Sequence, residues 1–146
     1  MSRAAAPGRS SRRISTASIS PTLLFNFKTN VLETREPLAL YLNLQNTIRL
    51  HPGWRVIFDD DRQCMRKLER LQTIGLVSNR TLDWYRSART QGMYKSDLCR
   101  MAQLYLHGGL YLDNDLQLFE GIGLLLRTHS LGTCLDLKGT QVTPAI

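Results

Sequence analysis

The stretch from Tyr94 to Leu118, YKSDLCRMAQLYLHGGLYLDNDLQL, constrains the fold of this chain more than any other. Leu98, Met101, Ala102 and Tyr105 repeat at i, i+3, i+4 and i+7, the spacing of one helix face, and that face is expected to enter a core. Ser96 is the expected N-cap, with Asp97 in the first turn, where a carboxylate suits the helix dipole. Gly108 and Gly109 stop the helix and let the chain turn with no Cβ in the way. Leu110, Tyr111 and Leu112 then resume as a strand, and Asp113 and Asp115 follow at its carboxyl end.

Three of the twelve acidic residues of the chain, Asp97, Asp113 and Asp115, therefore bracket one helix-to-strand turn. Asp97 and Arg100, three apart on a helix, can reach the same object, or can simply pair with each other. Asp113 and Asp115 point to the same side if the backbone stays extended. Two such carboxylates repel unless a cation or a cluster of donors holds them. Hard oxygen ligands of this kind suit Mg²⁺ or Mn²⁺, which take one or two protein carboxylates and complete their shell with water and substrate phosphates. A diphosphate is the expected bridge.

Upstream, Pro21–Phe27 (PTLLFNF) predicts a buried strand. A helix opening at Pro37 follows, with Leu38, Tyr41, Leu44, Gln45 and Ile48 on one face. HPGW at 51–54 predicts a turn and Arg55–Phe58 a second strand. Of Asp59, Asp60 and Asp61, one is expected to cap the next helix and the others to favour its dipole; a ligand contact at the strand end is the alternative. That helix has Met65, Leu68 and Leu71 in phase and stops at Gly75. Ser78 or Asn79 caps a further helix through Leu82, Tyr85 and Ala88, ending near Gly92. Beyond Asp115, residues 116–127 predict an apolar turn or short helix, and 131–137 a strand. The order of elements implies an α/β layered fold with some parallel strands.

Charge separates the chain into two parts. Residues 1–32 hold five basic side chains and no acid, so five of the seven net positive charges lie there and the remaining residues stand at +2. Residues 1–18, rich in Ser, Arg and Ala, are expected to be a disordered basic tail or a targeting segment. The near-neutral remainder with no P-loop, and a tail with no aromatics among its arginines, argue against nucleic acid as a partner. No window approaches the roughly 18 apolar residues of a membrane span. Cys64, Cys99 and Cys134 form no C-x-x-C pair, fit neither a disulfide framework nor a zinc site, and are expected as small buried apolar residues.

The residues quoted first resemble the signature of glycosyltransferases with a DXD sugar-binding region, the family 32-like group of initiating mannosyltransferases, with the clostridial glucosylating toxins more distant. The pattern S-D-x-x-R, a short apolar helix and G-G-x-Y-x-D-x-D is matched at Ser96, Asp97, Arg100, Gly108, Gly109, Tyr111, Asp113 and Asp115. SPTLLFNFKTN and HPGWRVIFDDD resemble the family's opening strand and its second conserved segment, with Phe25, Lys28 and His51 departing from the usual histidine, tryptophan and asparagine. The resemblance implies a GT-A-like (Rossmann-like) nucleotide-sugar-binding fold, of which 19–146 is the N-terminal, donor-binding part and which is incomplete at the C-terminus.

It also implies transfer of a sugar from a UDP-sugar or GDP-mannose to a glycan, lipid or protein acceptor, with retention, and points to the Golgi or secretory pathway, while the basic, unanchored start leaves cytoplasm or another organelle open. Asp97 and Arg100 would then contact the donor, Tyr111 would lie in its site, Asp113 would reach its hydroxyls or the metal through water, and Asp115 would ligate Mn²⁺ or Mg²⁺. A catalytically inactive, transferase-like binding module is the alternative.

Overall fold

Thr22–Asn26 forms the central strand β1, with the apolar Leu23–Phe25 at its centre because both faces of the sheet are covered; all five of its residues are buried. The computed structural model describes residues 19–123, 133–135 and 142–144. After β1 come a single helical turn α1 (Val31–Thr34), helix α2 (Leu38–Leu50), strand β2 (Arg55–Asp59), helices α3 (Asp61–Thr73), α4 (Asn79–Arg86) and α5 (Gly92–His107), and strand β3 (Leu110–Tyr111). Two short strands, β4 (Thr133–Leu135) and β5 (Val142–Pro144), pair antiparallel. The expected segment 1–18 and most of 124–146 lie outside the described residues.

β1 is flanked on both sides by parallel strands, with Phe25 opposite Phe58 on β2 and Leu24 opposite Tyr111 on β3. Alternation of side chains splits the core in two. Leu23 and Phe25 pack with Leu44 of α2, Phe58 and Leu112 on one side. On the other side Leu68, Leu71, Leu82, Tyr85 and Ala102 join α3, α4 and α5. The mixed α/β architecture with a small parallel sheet agrees with the fold class expected from the sequence.

Several boundaries and faces differ from the expectation. Helix α5 opens at Gly92 with Gln91 as N-cap, so Ser96 is interior and Gly92 starts a helix where it was expected to end one. Its buried residues are Cys99, Ala102 and Gln103, whereas Met101 and Tyr105 are exposed. The reason is polar: Gln103 is fully buried because its Nε2 donates to Phe25 O (2.9 Å) and Asp59 Oδ2 (2.8 Å), which turns the helix face past the one hydropathy selects. In α2, Leu44 and Thr47 are buried while Leu38 and Gln45 face outward.

The three aspartates divide their tasks. Asp60 caps α3 through a reciprocal capping box with Gln63. Asp61 lies in its first turn. Asp59 instead goes inward and pairs with Lys67 Nζ at 2.8 Å.

Cys64 on α3 and Cys99 on α5 form a disulfide with their Cα atoms 5.2 Å apart, which corrects the expectation of independent buried thiols. The two lie 35 residues apart on different helices, and only the packing of α3 on α5 makes them neighbours. Of Cys134, only the backbone position in β4 is described.

His107, at the end of α5, has its pKa lowered by burial first and then by the charges of Lys67 and Arg55, and its Nε2 is buried without a partner. Below the ordinary histidine value of about 6.5, the unfolded chain thus takes up a proton that the folded chain resists, so this residue lowers stability as pH falls. The melting temperature of His107→Gln should fall less steeply than that of the parent between about pH 7.5 and about pH 5.5; identical slopes would exclude the effect.

Candidate functional site

The parallel strands bring Asn26, Asp59 and Tyr111 to one edge of the sheet. Strand order reverses at β1, since the chain passes to β2 on one side and to β3 on the other. Open α/β sheets bind ligands in the crevice at such a point. A cavity of about 330 Å³ lies there, and Tyr111, Asp113, Asn114 and Asp115 form one wall of it.

Gly109 sets the path of that wall. Its φ is +99°, and a Cβ there would stand 2.6 Å from Thr22 O, so only glycine lets β3 run this close to β1. Leu112 N still donates to Leu24 O at 3.2 Å, and then the chain turns, with Leu116 N donating to Asp113 O at 3.0 Å. Asp113 and Asp115 are therefore presented by a turn and not by an extended strand end. Helix α2 holds this turn: Asn43 Nδ2 donates to Asn114 O (2.8 Å) and Leu116 O (2.9 Å), and Asn46 Nδ2 to Leu118 O (2.9 Å). His51, 3% exposed, continues the clamp by accepting from Ile122 N through Nε2, while its Nδ1–H reaches Thr47 O.

Asp113 and Asp115 are exposed, and neither has an ion-pair partner among the described residues. Two unpaired hard oxygen donors on one turn fit a small divalent cation that takes its remaining ligands from water and phosphate. A second group, Asp59, Cys64 and Cys99, also brings its ligand atoms within 4.8 Å of one another. It does not fit a metal, because the sulfurs are bonded to each other and Asp59 is neutralised by Lys67.

Burial pushes the Tyr111 phenol up to about 12, assisted by the charge of Asp113, so it is a neutral hydroxyl at physiological pH. The Arg100 guanidinium lies over the Tyr111 ring, 4.7 Å from its centroid. Arg100 also pairs with Asp97. Of the five residues singled out in the sequence, Tyr111, Asp113 and Asp115 line the cavity, whereas Asp97 and Arg100 stand outside its wall and reach it through the Tyr111 ring.

Asp61, for which a ligand contact at the strand end was the alternative expectation, also lines the cavity, as do Lys28 and Lys95, to which the sequence assigned no part in the site. Lys28 follows β1, Asp61 follows β2, and Lys95 precedes Ser96 on α5, so the cavity combines acids with two ammonium groups. Lys28 stands just past the end of β1, and the rule that ligands bind there, which had marked Asp61, could have marked it as well. No local signal points to Asn43 or Lys95.

No helix among the described residues is long and apolar enough to cross a membrane. Neither the curated proteins nor the solved structures yield a match to this chain. The family model described as the glycosyltransferase sugar-binding region containing a DXD motif matches residues 38–131, from the start of α2 through the turn of Asp113 and Asp115. The sequence, the parallel sheet and the acid turn at its switch point agree, and the chain belongs to the glycosyltransferase family defined by that DXD-containing sugar-binding region.

Proposed function

We propose that the cavity at the β1/β3 switch point binds the nucleotide-sugar donor of a metal-dependent glycosyltransferase. The observation that carries this reading is the convergence of Asp113 and Asp115 with Lys28 and Lys95 on one cavity wall, which offers ligands for a cation and countercharge for a diphosphate together. A cation held there, Mn²⁺ or Mg²⁺, supplies Lewis-acid neutralisation of the departing diphosphate. Asp115, with Asp113 beside it on the same turn, would hold the cation, and Asp113 could also accept from donor hydroxyls. Lys28 and Lys95 place positive charge along the same wall, and Tyr111 offers a neutral hydroxyl.

Arg100, stacked on Tyr111, contacts the donor at the mouth of the cavity, with Asp97 orienting its guanidinium. Retention of configuration, a UDP-sugar or GDP-mannose donor, and a glycan, lipid or protein acceptor follow from the family resemblance. The disulfide between α3 and α5 supports a working place in an oxidising compartment such as the secretory lumen. The alternative, a binding module without turnover, draws support from the Asp97–Arg100 pair, whose members engage each other outside the cavity wall.

Calorimetric titration of the chain with UDP-sugars and GDP-mannose tests the donor reading. Binding should appear with Mn²⁺ and vanish with EDTA; a folded chain that binds none of them would refute it. Release of free nucleoside diphosphate from the bound donor separates the transferase from the binding module. Arg100→Ala is expected to weaken donor binding about tenfold, the equivalent of one charged contact. Its melting temperature should scarcely move, because an exposed ion pair contributes at most about 1 kcal/mol.

A further inference from the structure

We infer that Asn26, the last residue of β1, is a positioning residue that sets the two halves of this site against each other; the inference rests on the donor-site reading above. One half is the turn of α5 with Ser96, Asp97 and Arg100, and the other is the turn with Asp113 and Asp115. They reach the cavity from chain positions far apart, and β3 is only two residues long, so ladder hydrogen bonds contribute little to their alignment.

Asn26 is 4% exposed and bonds to both halves. Its Nδ2 donates to Ser96 O at 3.2 Å, its Oδ1 accepts from Ser96 Oγ at 2.6 Å, and its main-chain oxygen accepts from Asn114 Nδ2 at 2.8 Å. These partners fix the amide orientation, because a carbonyl can only accept and the short hydroxyl contact takes the oxygen. The single Ser96 proton is committed to Asn26, so at 3.4 Å the Tyr111 hydroxyl is the donor to Ser96 Oγ. The chain Tyr111 to Ser96 to Asn26 thus orients the ring on which Arg100 rests. Asn114, between the two acids and 9% exposed, has spent its amide nitrogen on Asn26, while Asn43 secures the other side of the same turn.

This arrangement separates the functions of the two asparagines that hold the acid turn. Asn43 keeps the turn folded, whereas Asn26 sets its distance from α5. Removal of the Asn26 side chain should leave Mn²⁺ binding by Asp113 and Asp115 within about twofold, while binding of UDP or GDP together with Mn²⁺, which needs both halves, weakens about tenfold.

The experiment compares the parent with Asn26→Ala and with Ser96→Ala, which removes the shorter, hydroxyl contact of the same link from the helix side and leaves β1 intact should Asn26→Ala fail to fold. Mn²⁺ alone, and UDP and GDP with Mn²⁺, are titrated into each, and amide hydrogen exchange is followed at 94–100 and 112–118. Retained metal affinity, about tenfold weaker nucleotide binding and faster exchange at 94–100 are expected, while 112–118 keeps its bonds to the Asn26 main chain and to Asn43. Nucleotide affinity within twofold of the parent, despite a lowered melting temperature, would reduce Asn26 to a structural residue and overturn the inference. If the parent binds neither nucleotide, the donor-site reading fails by itself, and exchange then decides on Asn26: no acceleration at 94–100, or acceleration uniform across the chain, rejects the positioning role.

Discussion

Exchange of both Asp113 and Asp115 for asparagine is expected to abolish metal-dependent binding of the nucleotide-sugar donor while leaving the fold unchanged. Both side chains are exposed and have no ion-pair partner among the described residues, so their neutralisation should alter stability by no more than about 0.5 kcal/mol. The turn itself is held by main-chain and asparagine contacts that the substitutions do not touch, namely Leu116 N on Asp113 O and Asn43 on Asn114 O and Leu116 O. Loss of a partner that merely orients a metal ligand typically costs 10–100-fold in affinity, so loss of the carboxylates themselves should exceed about 100-fold. Titration of the double variant with donor and Mn²⁺, beside a thermal melt, checks both parts. Donor affinity equal to that of the parent would remove the acid turn from the site.

The second large effect concerns stability. Breaking the Cys64–Cys99 disulfide, by Cys64→Ala with Cys99→Ala or by a dithiol reductant, should destabilise the chain by about 3 to 4 kcal/mol, the entropy of closing a loop of this length in the unfolded state. The bond joins α3 to α5 across a separation of 35 residues. Domains of this size are stable by about 5–15 kcal/mol, so the loss is a large fraction of the whole and should lower the melting temperature by on the order of 10 °C. Calorimetric melts with and without reductant, for the parent and the double variant, measure it. A parent whose melting is insensitive to reductant would show that the two sulfurs are not joined in solution. The double variant should ignore the reductant, which separates loss of the bond from the small packing loss of two buried sulfurs.

The cysteines and the α5 boundary show how far the sequence reached. Equal spacing of Cys64, Cys99 and Cys134 carries no information about which helices touch, so the pairing was invisible until α3 lay on α5. The apolar spacing of Leu98, Met101 and Tyr105 marked a face, but the buried amide of Gln103 turned a neighbouring face inward, because hydrogen bonds to β1 and Asp59 stabilise it there. Ser96 looked like an N-cap by residue type, yet its hydroxyl serves Asn26 from inside the helix.

What the amino-acid sequence determined by itself were the features decided within a few residues: β1 as a buried strand, an aspartate cap on α3, the glycines that turn α5 into β3, the acid pair beyond them, and with these the family. Each depends on a local backbone requirement or on a motif with fixed spacing. Only the tertiary structure decided what joins positions far apart. It brought Asn26 to Ser96 and Asn114, Asn43 to the acid turn and His51 to Ile122, Lys28 and Lys95 to the same cavity, and Cys64 to Cys99. The physical reason is that a side chain's partner across 35 or more residues is selected by the packing of helices on both faces of the sheet, and no short window of sequence carries that packing.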